Sequence, residues 1–337
     1  MKRLQNKPDR IRLLYAAASV FVLASALLGI LLGSTDLSFT KILGLIFEAD
    51  KSSPEYRIFW YVRFPRPLAA LFCGAALAVS GAVIQKVLAN RLASPSIIGV
   101  NAGAGLAVTI CAACGILGGW RLSLFSFLGA FLTVLLVSVG AKRWGASRGT
   151  VVLIGVALNS LLGAISDTVI TLDPNAGIFR NEFKIGDFSY FSFSALPPAF
   201  LVIALALILL FVFSNRLDVL SLGDEEARAL GMNTSAMRVL FLLLAALLAG
   251  AAVSIAGLLS FVGLLVPHAI RRLGATESRH QLPLCALFGG GFVALCDTLS
   301  RVLFSPYEIP VGIIMAFLGA PFFLYLLLFG KGDQPHA

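Results

Sequence analysis

With 58% of its 337 residues hydrophobic and only 13% charged, this chain is far from the roughly 25% charge of a soluble domain. Apolar blocks recur from end to end, and no gap between them exceeds roughly 30 residues, too few for an independent soluble fold. The net charge of +9 would suggest nucleic acid in a soluble protein, but here the basic residues sit at the ends of apolar blocks, where membrane topology accounts for them.

The chain therefore reads as one polytopic, all-α domain over 1–337 that meets the lipid bilayer and no nucleic acid. Windows of about 19 residues predict about ten transmembrane helices, at 13–32, 64–86, 95–116, 122–141, 150–171, 195–214, 235–256, 258–273, 282–303 and 309–329. The first is long enough to span and has no small-residue cleavage site, so it is taken as a span and not a leader.

The second opens on Arg63-Phe-Pro-Arg-Pro67. Prolines suit a helix start, and Arg63 and Arg66 are expected to snorkel outward, where they could anchor at the interface or meet an acidic partner. Cys111 and Cys114, with Cys73, Cys285 and Cys296, fall in apolar blocks and are expected to pack as small hydrophobes. Asp167 lies near the outer end of the fifth span. In the eighth, Pro267 and nearby glycines predict a bent or interrupted helix. In the ninth, Asp297 and Arg301 are four apart and are expected to form a structural ion pair on one helix face. Pairing reduces the cost of a lone charge at the bilayer centre, at least about 2.5–3.5 kcal/mol.

Ten spans put both termini on one side, and that side carries 17 of the 26 Lys and Arg, which predicts N-in and C-in. Gly74-Ala-Ala-Leu-Ala-Val-Ser-Gly81 in span two is echoed by Gly250-Ala-Ala-Val-Ser-Ile-Ala-Gly257 in span seven. The two spans run in opposite directions, as two inverted five-helix repeats over 1–171 and 195–329 require. Small-residue faces that pack closely also look alike.

Between spans six and seven lies a charged cytoplasmic segment, 218–232. Ser221 to Gly231 predicts a helix of about nine residues. Ser221 is the N-cap and Asp224 completes a capping box, with Glu225 and Glu226 in the first turn, Arg228 later and Gly231 just past the end. At about 13 Å it is too short for a hydrocarbon core of about 30 Å, so it is a surface handle.

No nucleotide-binding loop, His-Glu-x-x-His or Gly-x-Ser-x-Gly occurs, and His268, His280 and His336 do not cluster. No metal, cofactor or catalytic residue is expected, and the chain cannot hydrolyse ATP on its own.

Taken together, several stretches resemble the FecCD permeases of ATP-driven importers for iron–siderophore, haem and cobalamin. They are Arg63 to Ala70, Gly74 to Gln85, Leu92-Ala-Ser-Pro-Ser-Ile-Ile-Gly99, Leu222 to Gly231, Phe261 to Arg271, Asp297 with Arg301, Glu308-Ile-Pro-Val-Gly312 and Gly319 to Phe323. The resemblance runs from the first span to Leu328. It departs at Arg91 and at Leu258, where the family commonly has Pro, and at Asn101 to Gly105, where a Ser-rich version is usual.

The resemblance implies a homodimeric, sometimes heterodimeric, ten-helix permease on two ATP-binding cassette ATPase subunits, loaded by an extracytoplasmic substrate-binding protein. Leu222, Gly223, Asp224, Glu225, Glu226, Ala227, Arg228, Leu230 and Gly231 would form the coupling helix. Arg63, Arg66 and Arg301 would meet acidic residues of the binding protein. Spans five, eight and ten would line the path. The cytoplasmic (inner) membrane is the implied location and ferric siderophore the implied cargo, with haem, cobalamin or a molybdate-type oxyanion as alternatives. An ion-coupled carrier would need a titratable relay, which the scarcity of deep charges opposes. A membrane scaffold without transport is the remaining alternative.

Overall fold

In the computed structural model the described residues, 7–33, 44, 53–143, 147–188 and 195–329, are helical, with no strand among them. Lys2, Arg3, Lys331 and His336 lie outside them. α1 (Lys7–Leu31) is apolar and largely exposed, as a lipid-facing span is. α2 (Pro54–Ile58) is capped by Ser53, whose Oγ accepts the Tyr56 N–H at 3.2 Å. One π-helical turn, Phe59–Arg63, leads into α3 (Pro65–Val87). Pro65 has no N–H to donate, and the Phe64 N–H reaches back five residues to Phe59 O at 2.8 Å.

α4 (Val100–Ala113), α5 (Gly119–Arg143) and α6 (Arg148–Leu172) follow. α7 (Pro174–Ile185) has no counterpart among the predicted spans. A wide apolar window passes over a 12-residue helix bearing Arg180, Glu182 and Lys184. Its start was nonetheless written locally: Asp173 Oδ1 accepts the Asn175 N–H at 3.1 Å and Pro174 takes the first position.

The sixth predicted span is met by a single helix, and the chain bends just past it. α8 (Leu196–Val212) and α9 (Ser214–Leu222) meet at 60°. After the short α10 (Asp224–Ala229) come α11 (Thr234–Ala256), α12 (Val262–Arg272), α13 (Ser278–Val302) and α14 (Val311–Phe329).

Each predicted span meets a helix, but among the described residues only six helices are long and apolar enough to cross a membrane, seven if α8 and α9 are one span. The shortfall from ten lies at α4, α12 and α14. With 14 and 11 residues, α4 and α12 are about 21 and 17 Å long. Both start later than hydropathy predicts, because the chain enters them through Gly99 at φ 93° and Phe261 at φ 67°. Apolar turns and apolar helices look alike to a hydropathy window.

α3, α11 and α13 hold the centre of the core. Gly74 on α3 faces Gly289 on α13 so closely that a Cβ at 74 would stand 2.7 Å from the Gly289 carbonyl carbon. α3 lies on both α13 and α11, and α11 lies in turn on α5. The glycine echo is only partial. Gly250 packs against Phe127 and Ala130 of α5, but Gly257 ends α11 whereas Gly81 sits inside α3 against Gly263. All five cysteines are free, and Cys114 is exposed at the end of α4 instead of packed.

Candidate coupling surface and outer charge cluster

Gly223 makes the turn from α9 into α10 with φ 149° and ψ 164°, a region open essentially to glycine. The helix therefore starts later than the sequence predicts and has six residues, not about nine. Ser221 is not its cap. Its hydroxyl donates to Asp218 O at 2.7 Å within α9, and Asp224 forms no capping box with it. The Glu226 carboxylate folds over Gly223 instead, where any Cβ would collide with it. The far end follows the sequence pattern. Gly231, at φ 78°, donates to Arg228 O at 2.9 Å and Met232 to Ala227 O at 3.0 Å, the paired bonds of a Schellman end.

Asp224 turns inward to Arg238 on α11 at 2.5 Å, and that arginine side chain is 3% exposed. Burial would raise this carboxyl, but the hydrogen bond and charge of Arg238, with Arg148 and Arg228 nearby, outweigh it and hold it below the usual carboxylate range. Ala227 is buried beneath the turn, and Arg228 Nε reaches Thr234 Oγ1 at 3.4 Å. Facing outward are Leu222 and Leu230, with Glu225 and Glu226 between them in the chain and likewise exposed. Two bare leucines and two carboxylates on an anchored turn suit a groove on another protein better than lipid.

Behind the turn, Asp218 on α9 ties three elements together. Lys86, in the last turn of α3, donates to Asp218 Oδ1 at 2.6 Å. The Ser278 N–H donates to Asp218 Oδ2 at 2.9 Å and the Ser278 hydroxyl to Oδ1 at 2.7 Å. Lys86 also reaches Thr276 O at 3.0 Å. Asp218 thereby caps α13, whose own N-cap, Glu277, makes no side-chain cap bond. Sequence reasoning counted Lys86 only as a marker of orientation, and no local pattern joins it to a residue 132 positions away.

At the opposite end of α3 and α13, about 30 Å away along α3, lies a second charge cluster. Arg66 Nε donates to Asp297 Oδ1 at 2.9 Å and Nη1 to Glu308 Oε2 at 2.8 Å, with Asp187 Oδ1 3.6 Å from Nη2. Arg301 Nη2 is 3.0 Å from Asp297 Oδ2, a charge contact outside hydrogen-bond angles, and its hydrogen bonds go to Asp297 O at 3.3 Å and to Gly29 O and Leu32 O, both at 3.2 Å. Arg63 Nη1 reaches Leu31 O at 3.5 Å. The expectation that Arg63 and Arg66 snorkel to the surface is overturned. Arg63, Arg66 and Arg301 are 4%, 4% and 3% exposed. Carboxylates from three distant segments converge on Arg66, and that pull was invisible along the chain.

The model of the FecCD transport family matches residues 21–329. The chain belongs to the FecCD transport family. It is 36% identical to the Fe(3+)-citrate import system permease protein YfmD of Bacillus subtilis (strain 168) over 97% of both chains. It is 35% identical to the hemin transport system permease protein HmuU of Yersinia pestis over 88% of this chain and 90% of the relative. Among solved structures it is similar to a chain described as a metal-chelate type ABC transporter in an inward-facing conformation. The TM-score is 0.82 and the identity 28%, with 96% of this chain and 100% of the other covered.

The permease is thus a multi-pass, all-helical subunit of an ABC importer in the cytoplasmic membrane, working with ATPase and binding-protein partners. Its two charge clusters occupy opposite ends of the same helix pair, α3 and α13.

Proposed function

We propose that this permease moves a ferric chelate from an extracytoplasmic binding protein to the cytoplasm, as a homodimer on two ATPase subunits that supply the hydrolysis. The observation that carries the ATPase contact is the exposed surface from Leu222 to Leu230, held to the core by Asp224–Arg238 and by Asp218. Motion of an ATPase against that surface would be passed to α3, α11 and α13 and would rock the subunits between outward- and inward-facing states. The packing of α3 on α13, matched in the second half by that of α11 on α5, supports two inverted repeats over 1–171 and 195–329.

Ferric chelate is favoured by the similarity, over 97% of both chains, to the permease named for Fe(3+)-citrate import. Haem or cobalamin is the second reading, favoured by the relatives named for hemin and vitamin B12. Docking of the binding protein on Arg63, Arg66 and Arg301 proceeds by exchange: its acidic side chains displace Glu308, the most exposed carboxylate around Arg66, with a side chain 30% exposed.

The test is ATP-dependent accumulation in vesicles holding permease, ATPase and binding protein. Radiolabelled iron should enter from a ferric chelate, and collapse of the proton gradient at constant ATP should not stop it. Accumulation of haem or cobalamin alone would overturn the iron assignment. Dependence on the gradient would favour a secondary carrier, and no accumulation at all a scaffold.

A further inference from the structure

The connection between α11 and α12, residues 257–261, is non-helical although it lies between two apolar blocks. Irregular backbone in such a place persists where it is buried in protein or lines a cavity. Four hollows border it, and three of them are lined by Lys184, Ser260 or Asn101. One of about 250 Å³ is bordered by Asn101, Asn159, Arg180 and Lys184. One of about 520 Å³ is bordered by Lys184, Ser260 and small residues of α14, Gly312, Ala316 and Ala320. The third, about 210 Å³, is bordered by Ser94, Asn101 and Ser260. Lys184, Ser260 and Asn101 are each shared by two of the three, so these hollows adjoin and outline a groove from α4 past the broken connection to α14.

The charged residues on the walls of these three hollows are both basic, Arg180 and Lys184. They are four apart on α7 and share one face. Glu182 borders the fourth hollow with Asp187, and that hollow has only Phe183 in common with the first. Arg180 is neutralised by Asp167 at 2.6 Å, whereas Lys184 is exposed and has no ion pair or hydrogen bond among the described residues. The groove therefore keeps one positive charge beside apolar and hydroxyl-bearing walls.

We propose that this groove is a cargo track for anionic ferric chelates, in which carboxylate or catecholate oxygens hold the iron, and that Lys184 favours them over neutral ferric hydroxamates. The inference rests on the chelate-importer reading and adds the charge class of the cargo. One cation in a recessed groove attracts and orients an anion, and it releases the anion more readily than a cage of arginines would. A passage needs that balance, since cargo must leave as easily as it enters.

The experiment uses the whole complex of permease, ATPase and binding protein in vesicles, with ferric dicitrate, a ferric tricatecholate and a neutral ferric trihydroxamate as probes. The wild type should accumulate an anionic probe. Lys184→Glu should lower that initial rate about tenfold and Lys184→Gln about threefold, a graded response to charge. Lys184→Arg should stay within about twofold. Lys184 is exposed, so none of the three should harm the fold, and an unchanged Tm of the solubilised complex checks this.

Uptake confined to the neutral probe would overturn the inference and leave the importer reading standing. So would anionic uptake unchanged by Lys184→Glu, or an equal loss for neutral and anionic probes. Failure to accumulate any ferric chelate would overturn the importer reading and this inference with it.

Discussion

Asp218 on α9 accepts a hydrogen bond from Lys86 Nζ at 2.6 Å and so locks the helix that precedes the α10 turn to the last turn of α3. Its other oxygen holds the first N–H of α13. The outer ends of the same two helices are tied by Arg66 and Asp297, and Gly74 meets Gly289 between them. A displacement entering at α10 therefore meets a helix pair clamped at both ends.

Asp218→Ala frees Lys86 and uncaps α13 together. It should cost about 2 kcal/mol, read as a fall in Tm of the detergent-solubilised complex. Asp218→Asn keeps an acceptor for the Ser278 N–H and should cost less, yet still lower the cargo moved per ATP. An unchanged transport ratio in both variants would show that this junction does not transmit motion.

Asp224→Asn should destabilise by about 2 kcal/mol, because Arg238 stays buried with a weaker partner. The Asp224 carboxyl is held below its usual value, so its contribution is full above the ordinary Asp value of about 3.9 and is lost as pH falls through the folded value. The Tm gap between wild type and variant should stay constant from about pH 7 to pH 5 and close below about pH 4. A gap that widens in acid would contradict the sign.

Replacing Glu225 and Glu226 together by Arg should abolish ATP-driven uptake without altering membrane insertion, since both side chains are exposed. Gly223→Ala should do similar damage by another route. The exposed Glu226 carboxylate can swing aside, but the backbone φ of 149° would cost about 1–3 kcal/mol and reshape the turn. Pull-down of the ATPase checks both, and full binding by either variant would remove α10 from the interface.

At the outer cluster, Asp297→Asn leaves two buried guanidinium groups short of a charge and should cost about 3–5 kcal/mol in unfolding experiments. Glu308→Gln, at a partly exposed position, should cost about 1 kcal/mol or less. If docking exchanges carboxylates at Arg66, Glu308→Gln should also tighten binding of the loaded binding protein, most clearly at low salt. An unchanged Kd at low and high salt would keep Arg66 internal.

Local chemistry was legible at several places. Gly231 announced the end of α10, and Asp173-Pro174 marked the start of α7 for any search not restricted to wide apolar windows. Ser221 misled, because Gly223 breaks the backbone between it and Asp224, and the hydroxyl had a nearer acceptor in Asp218. Hydropathy likewise ran past the true starts of α4 and α12, where the turn residues are themselves apolar.

The chain by itself determined the membrane class, the approximate place of each apolar helix, the family and the charged turn that carries Glu225 and Glu226, since hydropathy and capping act over a few neighbouring residues. Only the tertiary structure decided that Arg63, Arg66 and Arg301 are buried, that Asp218 caps α13, and that α7 turns its two cations toward one groove. The physical reason is distance along the chain. Charges 132 and 231 residues apart, as in Lys86–Asp218 and Arg66–Asp297, pair through packing that no local spacing encodes.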